Sequence, residues 1–180
     1  GKKVADKEIT RLNTQQMAIK IMMNSLYGAL GNKWFRYYDV RVAEAITTSG
    51  QLAIRWAEKT VNVYMNQILG TTDHDYVIAI DTDSVYINFG PMVEQMGITD
   101  KKRAVEVIDE ICQKKFEPLL KESYDVMAKY MDSYENKMVM EREVIADVGV
   151  WTAKKRYILN VHNSEGVQYA KPKLKIMGIE

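Results

Sequence analysis

Two runs of β-branched and aromatic residues, 76–80 (YVIAI) and 85–89 (VYINF), are separated only by Asp81-Thr82-Asp83-Ser84. Each run has the length of a strand, and four polar residues between strands allow little but a tight turn. A β-hairpin with an acidic tip is therefore the fixed point of the fold, and Gly90-Pro91 closes it. Upstream, residues 7–30 and 41–68 contain no proline and read as two long helices. Gly31 and Asn32 stop the first, and Gly70 to Asp73 end the second. Trp34 to Tyr38 form an aromatic connector. In the second helix Ala45, Leu52, Trp56, Val63 and Ile68 suggest one buried stripe. Residues 99–133 read as helix again, with Pro118 opening a second segment, because proline is tolerated in a first turn and not in an interior. Residues 138–148, 150–162 and 167–176 read as three further strands, the last two joined by a turn at 162–166. The fold class is α+β.

A chain of 180 residues with 47% hydrophobic content can bury a substantial core. Its longest apolar run, Tyr76–Ile80, is too short for a transmembrane helix or a signal-peptide core. One cysteine, Cys112, excludes a disulfide framework and a cysteine-ligated zinc site, and fits a reducing compartment. The net charge of +1 is not the footprint of a nucleic-acid binder, so any such footprint must be local.

Asp81 and Asp83, two residues apart, would face one side of an extended strand. Two ionised carboxylates at the end of an apolar strand repel each other unless a cation lies between them. Magnesium suits them: a hard ion, commonly held by one or two carboxylates together with phosphate oxygens. A solvated turn uses the same residue types. On the first helix, Lys20, Asn24, Tyr27 and Gly31 share one face, a set that suits a nucleotide's phosphates and base but also an ordinary solvated surface. Near the C-terminal end, Lys171, Lys173 and Lys175 alternate with Pro172, Leu174 and Ile176. In a strand this is a basic ladder on an apolar back, able to contact phosphates without reading sequence, or a charged edge that blocks aggregation. Glu141 and Glu143 are a further carboxylate pair, on the strand expected there.

Four motifs stand in one order: K-I-M-M-N-S-L-Y-G at Lys20–Gly28, D-T-D-S at Asp81–Ser84, K-K-R-Y at Lys154–Tyr157 and K-P-K-L-K-I-M-G at Lys171–Gly178. Together they resemble family B DNA polymerases. Residues 24–39 look most like the branch from myovirus-type tailed phages. The resemblance runs from about residue 7 to residue 180 and implies the second half of the fingers (1–32) and most of the palm (33–180). It implies a palm-type antiparallel sheet carrying a metal-binding acidic hairpin, packed on helices, with a long N-terminal fingers helix. By the same resemblance Lys20 approaches the incoming nucleotide's phosphates, Asn24 shapes that helix's nucleotide face, and Tyr27 lies against the nascent base pair. Asp83 binds both of two magnesium ions, with Asp81 in support beside it. Lys155 and Tyr157 hold the primer terminus, and Lys173 and Lys175 contact the duplex behind it. Thr82, Ser84 and Glu143 are accessory candidates, Glu143 as a carboxylate near the metals.

The implied function is DNA-directed nucleotidyl transfer to a primer 3′ end, with primer–template DNA and deoxynucleoside triphosphates as partners, in the cytoplasm of a bacterial host. The family also uses an aspartate in a motif D-x-x-S-L-Y-P, which is absent from this sequence. The chain is accordingly expected to be a piece of a polymerase or one product of a split gene, inactive alone, whose partners include the remaining polymerase segments. A first helix without its antiparallel neighbour is expected to drive self-association through residues 7–30. Two alternatives are a non-catalytic nucleic-acid-binding subunit of a split polymerase, and a haloacid-dehalogenase-type phosphatase, whose D-x-D-x nucleophile motif is similar. The phosphatase requires a loop and helix after Ser84, the polymerase a strand.

Overall fold

The computed structural model describes residues 2–178. Its elements are α1 (Lys2–Leu30), α2 (Val40–Leu69), β1 (Val77–Asp81), β2 (Ser84–Ile87), α3 (Gly90–Gln95), α4 (Lys101–Ile111), a π-helical turn (Cys112–Phe116), α5 (Glu117–Tyr130), β3 (Val144–Ala153), β4 (Arg156–Ser164) and β5 (Val167–Met177). The class is α+β with antiparallel pairing throughout. Two compact units divide inside α2, residues 1–50 and 51–180.

In the first unit α1 stops where its sequence stops it, with the amide of Asn32 donating to the Ala29 carbonyl. Asp39 caps α2: its Oδ1 accepts from the Arg41 amide at 3.0 Å, and the Arg41 guanidinium holds its other oxygen at 2.8 Å. That guanidinium pulls the Asp39 pKa down to about 2.

In the second unit α2 ends at Gly70, in the left-handed region, with the Thr71 amide reaching back to the Asn66 carbonyl. Asn66 and Asn62 then steer the chain into β1. Asn66 bonds both backbone groups of His74, and Asn62 accepts from the Tyr76 amide. The buried stripe of α2 is Ala53, Ala57, Val61 and Met65, packed with Tyr76, Met92, Phe116, Leu120, Tyr124 and Met127. This corrects the expected stripe. Leu52 and Trp56 lie at the core's margin, while Val63 and Ile68 face outward. Trp56 Nε1 donates to Ser123 Oγ at 2.9 Å, joining α2 to α5.

Helix α4 is capped by Asp100, which accepts from the Arg103 amide at 2.9 Å. Pro118 opens α5 as expected, yet the chain does not break there. The preceding π-turn carries the Glu117 amide to the Cys112 carbonyl, so the helical path continues past the missing proline N–H. Helix α3 lies where the sequence suggested only a closing turn.

The strands β3-β4-β5 form one sheet in that order, and β1-β2 form the hairpin. Two expectations about strand limits are corrected. Residues 138–143 are not strand, and Gly149 is not a break between two strands but the interior of β3, opposite Leu159. The turn falls at Lys154-Lys155, where Ala153 pairs with Arg156. Gly149 serves the packing instead: a Cβ there would come within 2.6 Å of Trp151 Cζ3 and 2.9 Å of Leu159 Cδ2. Along β4, Tyr157, Leu159, Val161 and Asn163 are buried and their neighbours are not, the period-two signature of a strand with one covered face.

Candidate active site

The hairpin tip is tighter than a simple extension of its strands. Asp81 ends β1 and pairs with Ser84, the first residue of β2. The Asp83 amide donates to the Asp81 carbonyl at 2.6 Å around Thr82, whose φ is +52°. This is a three-residue turn in its disfavoured hand. A β-branched residue rarely adopts a positive φ, and such strain costs about 1–3 kcal/mol where it persists. Asp81 and Asp83 therefore do not follow the alternation of one strand: Asp81 ends β1, while Asp83 lies with Thr82 in the turn itself. Thr82 Oγ1 donates to Asp81 Oδ1 at 3.1 Å, so one Asp81 oxygen has an internal partner. Among the described residues no three acidic, histidine or cysteine side chains gather in one group. Two hard carboxylates at a solvent-facing tip still fit magnesium, which commonly completes its shell with water and phosphate oxygens.

Below the tip a cavity of about 900 Å³ opens between the hairpin, α4 and β3. Asp83, Ser84, Glu143 and Lys175 all line it; Asp81, Lys155, Tyr157 and Lys173 do not. Glu143 lies just ahead of β3 and accepts from Lys175 Nζ at 2.6 Å. Arg142 fixes that segment. Its guanidinium is nearly buried, ion-paired with Asp109 of α4, and donates to Asn163 Oδ1 at 3.0 Å. Asn163 Oδ1 also accepts from the Gly166 amide.

The hairpin meets the three-stranded sheet through aromatic rings. Tyr86 of β2 packs edge-on against Trp151 at 5.3 Å and Tyr157 at 5.6 Å between centroids. Tyr157 is only 8% exposed. Burial first, and then the neighbouring Tyr157 hydroxyl, push the Tyr86 phenol above its ordinary range. Sequence reasoning missed Tyr86, Trp151 and Arg142. The first two had a signal, as aromatics in short strands, but nothing in the sequence told which face they would take.

The lysine ladder is reversed relative to its expected back. Lys175 pairs with Leu159 and Lys173 with Val161, so both lysines share the face of the buried β4 residues. Lys173 Nζ stands 4.3 Å from the Tyr169 ring centroid. Leu174 (67% exposed) and Ile176 (51%) face outward, where an apolar back had been expected. Pro172 falls in the stretch of β5 left out of the pairing between Val161 and Asn163, where its missing donor costs nothing. Lys155 sits in the β3–β4 turn at φ +63°, where a tight turn ordinarily carries glycine or asparagine. In the first unit, Lys20, Asn24 and Tyr27 are exposed on α1.

Residues 2–131 match the family model described as DNA polymerase family B. The chain belongs to DNA polymerase family B. It is 44% identical to the DNA-directed DNA polymerase of Escherichia phage RB69, over 93% of this chain and 20% of that protein. It is 43% identical to the corresponding enzyme of Enterobacteria phage T4, over 97% of this chain and 21% of that protein. The catalytic subunit of DNA polymerase delta from Drosophila melanogaster is 29% identical over 54% of this chain and 9% of its own length. This family B chain thus spans about a fifth of the phage relatives it matches. The match includes both the Lys20–Gly28 and Asp81–Ser84 motifs. After Ser84 the chain runs as strand β2, which removes the phosphatase alternative. Among the described residues no helix is long and apolar enough to cross a membrane.

Proposed function

We propose that this chain is the second half of the fingers (1–32) and most of the palm (33–180) of a DNA-directed DNA polymerase. The observation that carries this is the strained acidic hairpin, Asp81-Thr82-Asp83, beside a cavity shared with Glu143 and Lys175, in a chain of family B. In the intact enzyme the primer 3′ hydroxyl attacks the α-phosphate of a deoxynucleoside triphosphate and pyrophosphate leaves. Asp83 and Asp81 would hold magnesium, together with an aspartate from another segment of the polymerase. Magnesium held there would supply neutralisation of the negative charge that develops in phosphoryl transfer.

The remaining steps belong to the chain's own residues. Thr82, by bonding Asp81, fixes one carboxylate rotamer, and Ser84 begins the strand that keeps the tip in place. Lys20 neutralises the incoming triphosphate, while Asn24 and Tyr27 shape the surface that meets the nascent pair. Lys155 reaches the primer terminus from its turn. Tyr157, packed edge-on against Tyr86, holds the primer terminus together with Lys155. Lys173 and Lys175 meet backbone phosphates, an interaction that gives affinity without sequence preference. Glu143 acts on the ladder through Lys175.

The partners are primer–template DNA, nucleotides and the remaining polymerase segments, in the host cytoplasm. The chain alone also self-associates through residues 7–30, where Leu12, Ile19, Met22, Met23 and Leu26 are more than half exposed. Light scattering that returns a monomer contradicts this last point.

Magnesium-dependent primer extension by the 180-residue chain alone tests the reading. The expected result is no incorporation, with activity appearing when the remaining segments are supplied. Extension by the chain alone would mean that these residues complete the metal site without an outside aspartate.

A further inference from the structure

The motif at 171–178 ends in a glycine for which the lysine ladder gives no reason. The structure supplies one. Met177 is the last residue of β5 and pairs with Tyr157, so the next residue, Gly178, comes alongside the β3–β4 turn. Gly178 adopts φ +64°. A Cβ on it would overlap the Lys155 carbonyl oxygen and lie 3.3 Å from both the Lys155 carbonyl carbon and Arg156 Cγ. Backbone cannot yield to such an overlap as the end of a flexible side chain can. Lys155 is itself held at φ +63°. A lysine remains in that conformation only where its surroundings leave no better one. The tight β3–β4 turn sets it, and the bare Cα of Gly178 leaves the Lys155 carbonyl the room to keep it. Two left-handed residues from two motifs thus meet at one end of the sheet, one able to adopt the conformation freely and the other held in it.

We propose that Gly178 is a positioning residue for Lys155: by letting the end of β5 pack against the turn, it sets the direction from which the Lys155 amine reaches primer–template DNA. This rests on the role proposed above for Lys155. A side chain at 178 turns the Lys155 peptide away, redirects its amine, and leaves the lysine present but misaimed.

The test is a double-mutant cycle in the full-length polymerase that carries this segment. Primer–template Kd is measured by fluorescence anisotropy for Lys155→Ala, Gly178→Ala and the pair. Lys155→Ala is expected to weaken binding roughly tenfold, the scale of one hydrogen bond to a charged group. Gly178→Ala is expected to do nearly the same, and the double variant to be no weaker than Lys155→Ala alone within about twofold. A glycine needed only for general stability would give additive losses. If Gly178→Ala does not fold, Gly178→Asn carries the same expectation, because asparagine accepts the left-handed backbone and retains only the overlap. Wild-type affinity in the Gly178 variants, or additive losses, would overturn the role of Gly178 while leaving that of Lys155 in place. Wild-type affinity in Lys155→Ala would overturn both.

Discussion

Lys175 Nζ donates to Glu143 Oε1 at 2.6 Å, so a lysine of the basic ladder and the carboxylate just ahead of β3 are partners of each other. The Glu143 side chain is 60% exposed and that of Lys175 31%. A pair so placed contributes about 0–1 kcal/mol to stability. On the phosphate role proposed for Lys175, its consequence lies in binding, because Glu143 would compete with phosphate for the lysine. Glu143→Gln is expected to tighten primer–template binding by roughly twofold to fivefold, the equivalent of such a pair. The magnesium concentration for half-maximal activity should stay where it is. A shifted magnesium dependence would instead place Glu143 among the metal ligands.

Arg142 is the anchor of the segment that carries Glu143. Truncating it leaves Asp109 and Asn163 without their shared partner in a nearly closed site. Arg142→Ala is expected to destabilise the chain by about 3–5 kcal/mol, the range for breaking a buried pair by removing one member. The urea midpoint reads this directly. A loss below about 1 kcal/mol would show that water takes the place of the guanidinium.

Asp147 gives the fold an acid limit. Burial favours its neutral form, but Lys101 at 2.8 Å, Asn160 at 2.7 Å and His162 at 3.2 Å outweigh it and hold its pKa at about 2, against an ordinary 3.8. A carboxylate depressed on folding stabilises the native state fully above its unfolded pKa and loses that contribution as pH falls through the folded one. Stability should therefore decline between about pH 4 and pH 2, and Asp147→Asn should flatten that part of the profile. Denaturant midpoints at several pH values in this window would decide it.

Gly149 tests the aromatic bridge between hairpin and sheet. A methyl at this position enters the space of the Trp151 ring and Leu159. Gly149→Ala is expected to cost about 1–3 kcal/mol, as overpacking generally does, and to shift tryptophan emission as the Trp151 ring leaves Tyr86. Unchanged emission and stability would show that the ring moves without cost.

The parts of this molecule legible in its sequence are those set by local chemistry. The hairpin follows from two apolar runs four residues apart, the helix ends from Gly31 and Gly70, and the opening of α5 from Pro118. What was not legible is set by contacts distant in sequence. Gly149 reads in the sequence as a break between two strands, whereas here it clears space for an indole from its own strand. Lysine gave no turn signal at 155, because the left-handed conformation the tight turn demands is one that glycine or asparagine usually supplies. The lysine ladder's spacing was plain, but its face depended on which side of β4 the hairpin would cover. Likewise the alternation rule failed at Asp81 and Asp83, because the strand ends at Asp81 and Asp83 belongs to the turn.

The central claim is that the hairpin tip holds the metals of nucleotidyl transfer. It is tested most directly by single-nucleotide incorporation in the full-length polymerase carrying Asp83→Asn, with primer–template Kd measured alongside. The account expects the magnesium-dependent rate to fall by about a thousandfold or more, the scale of losing metal stabilisation of the transition state, while DNA affinity changes little. A rate within about tenfold of the unaltered enzyme would contradict it.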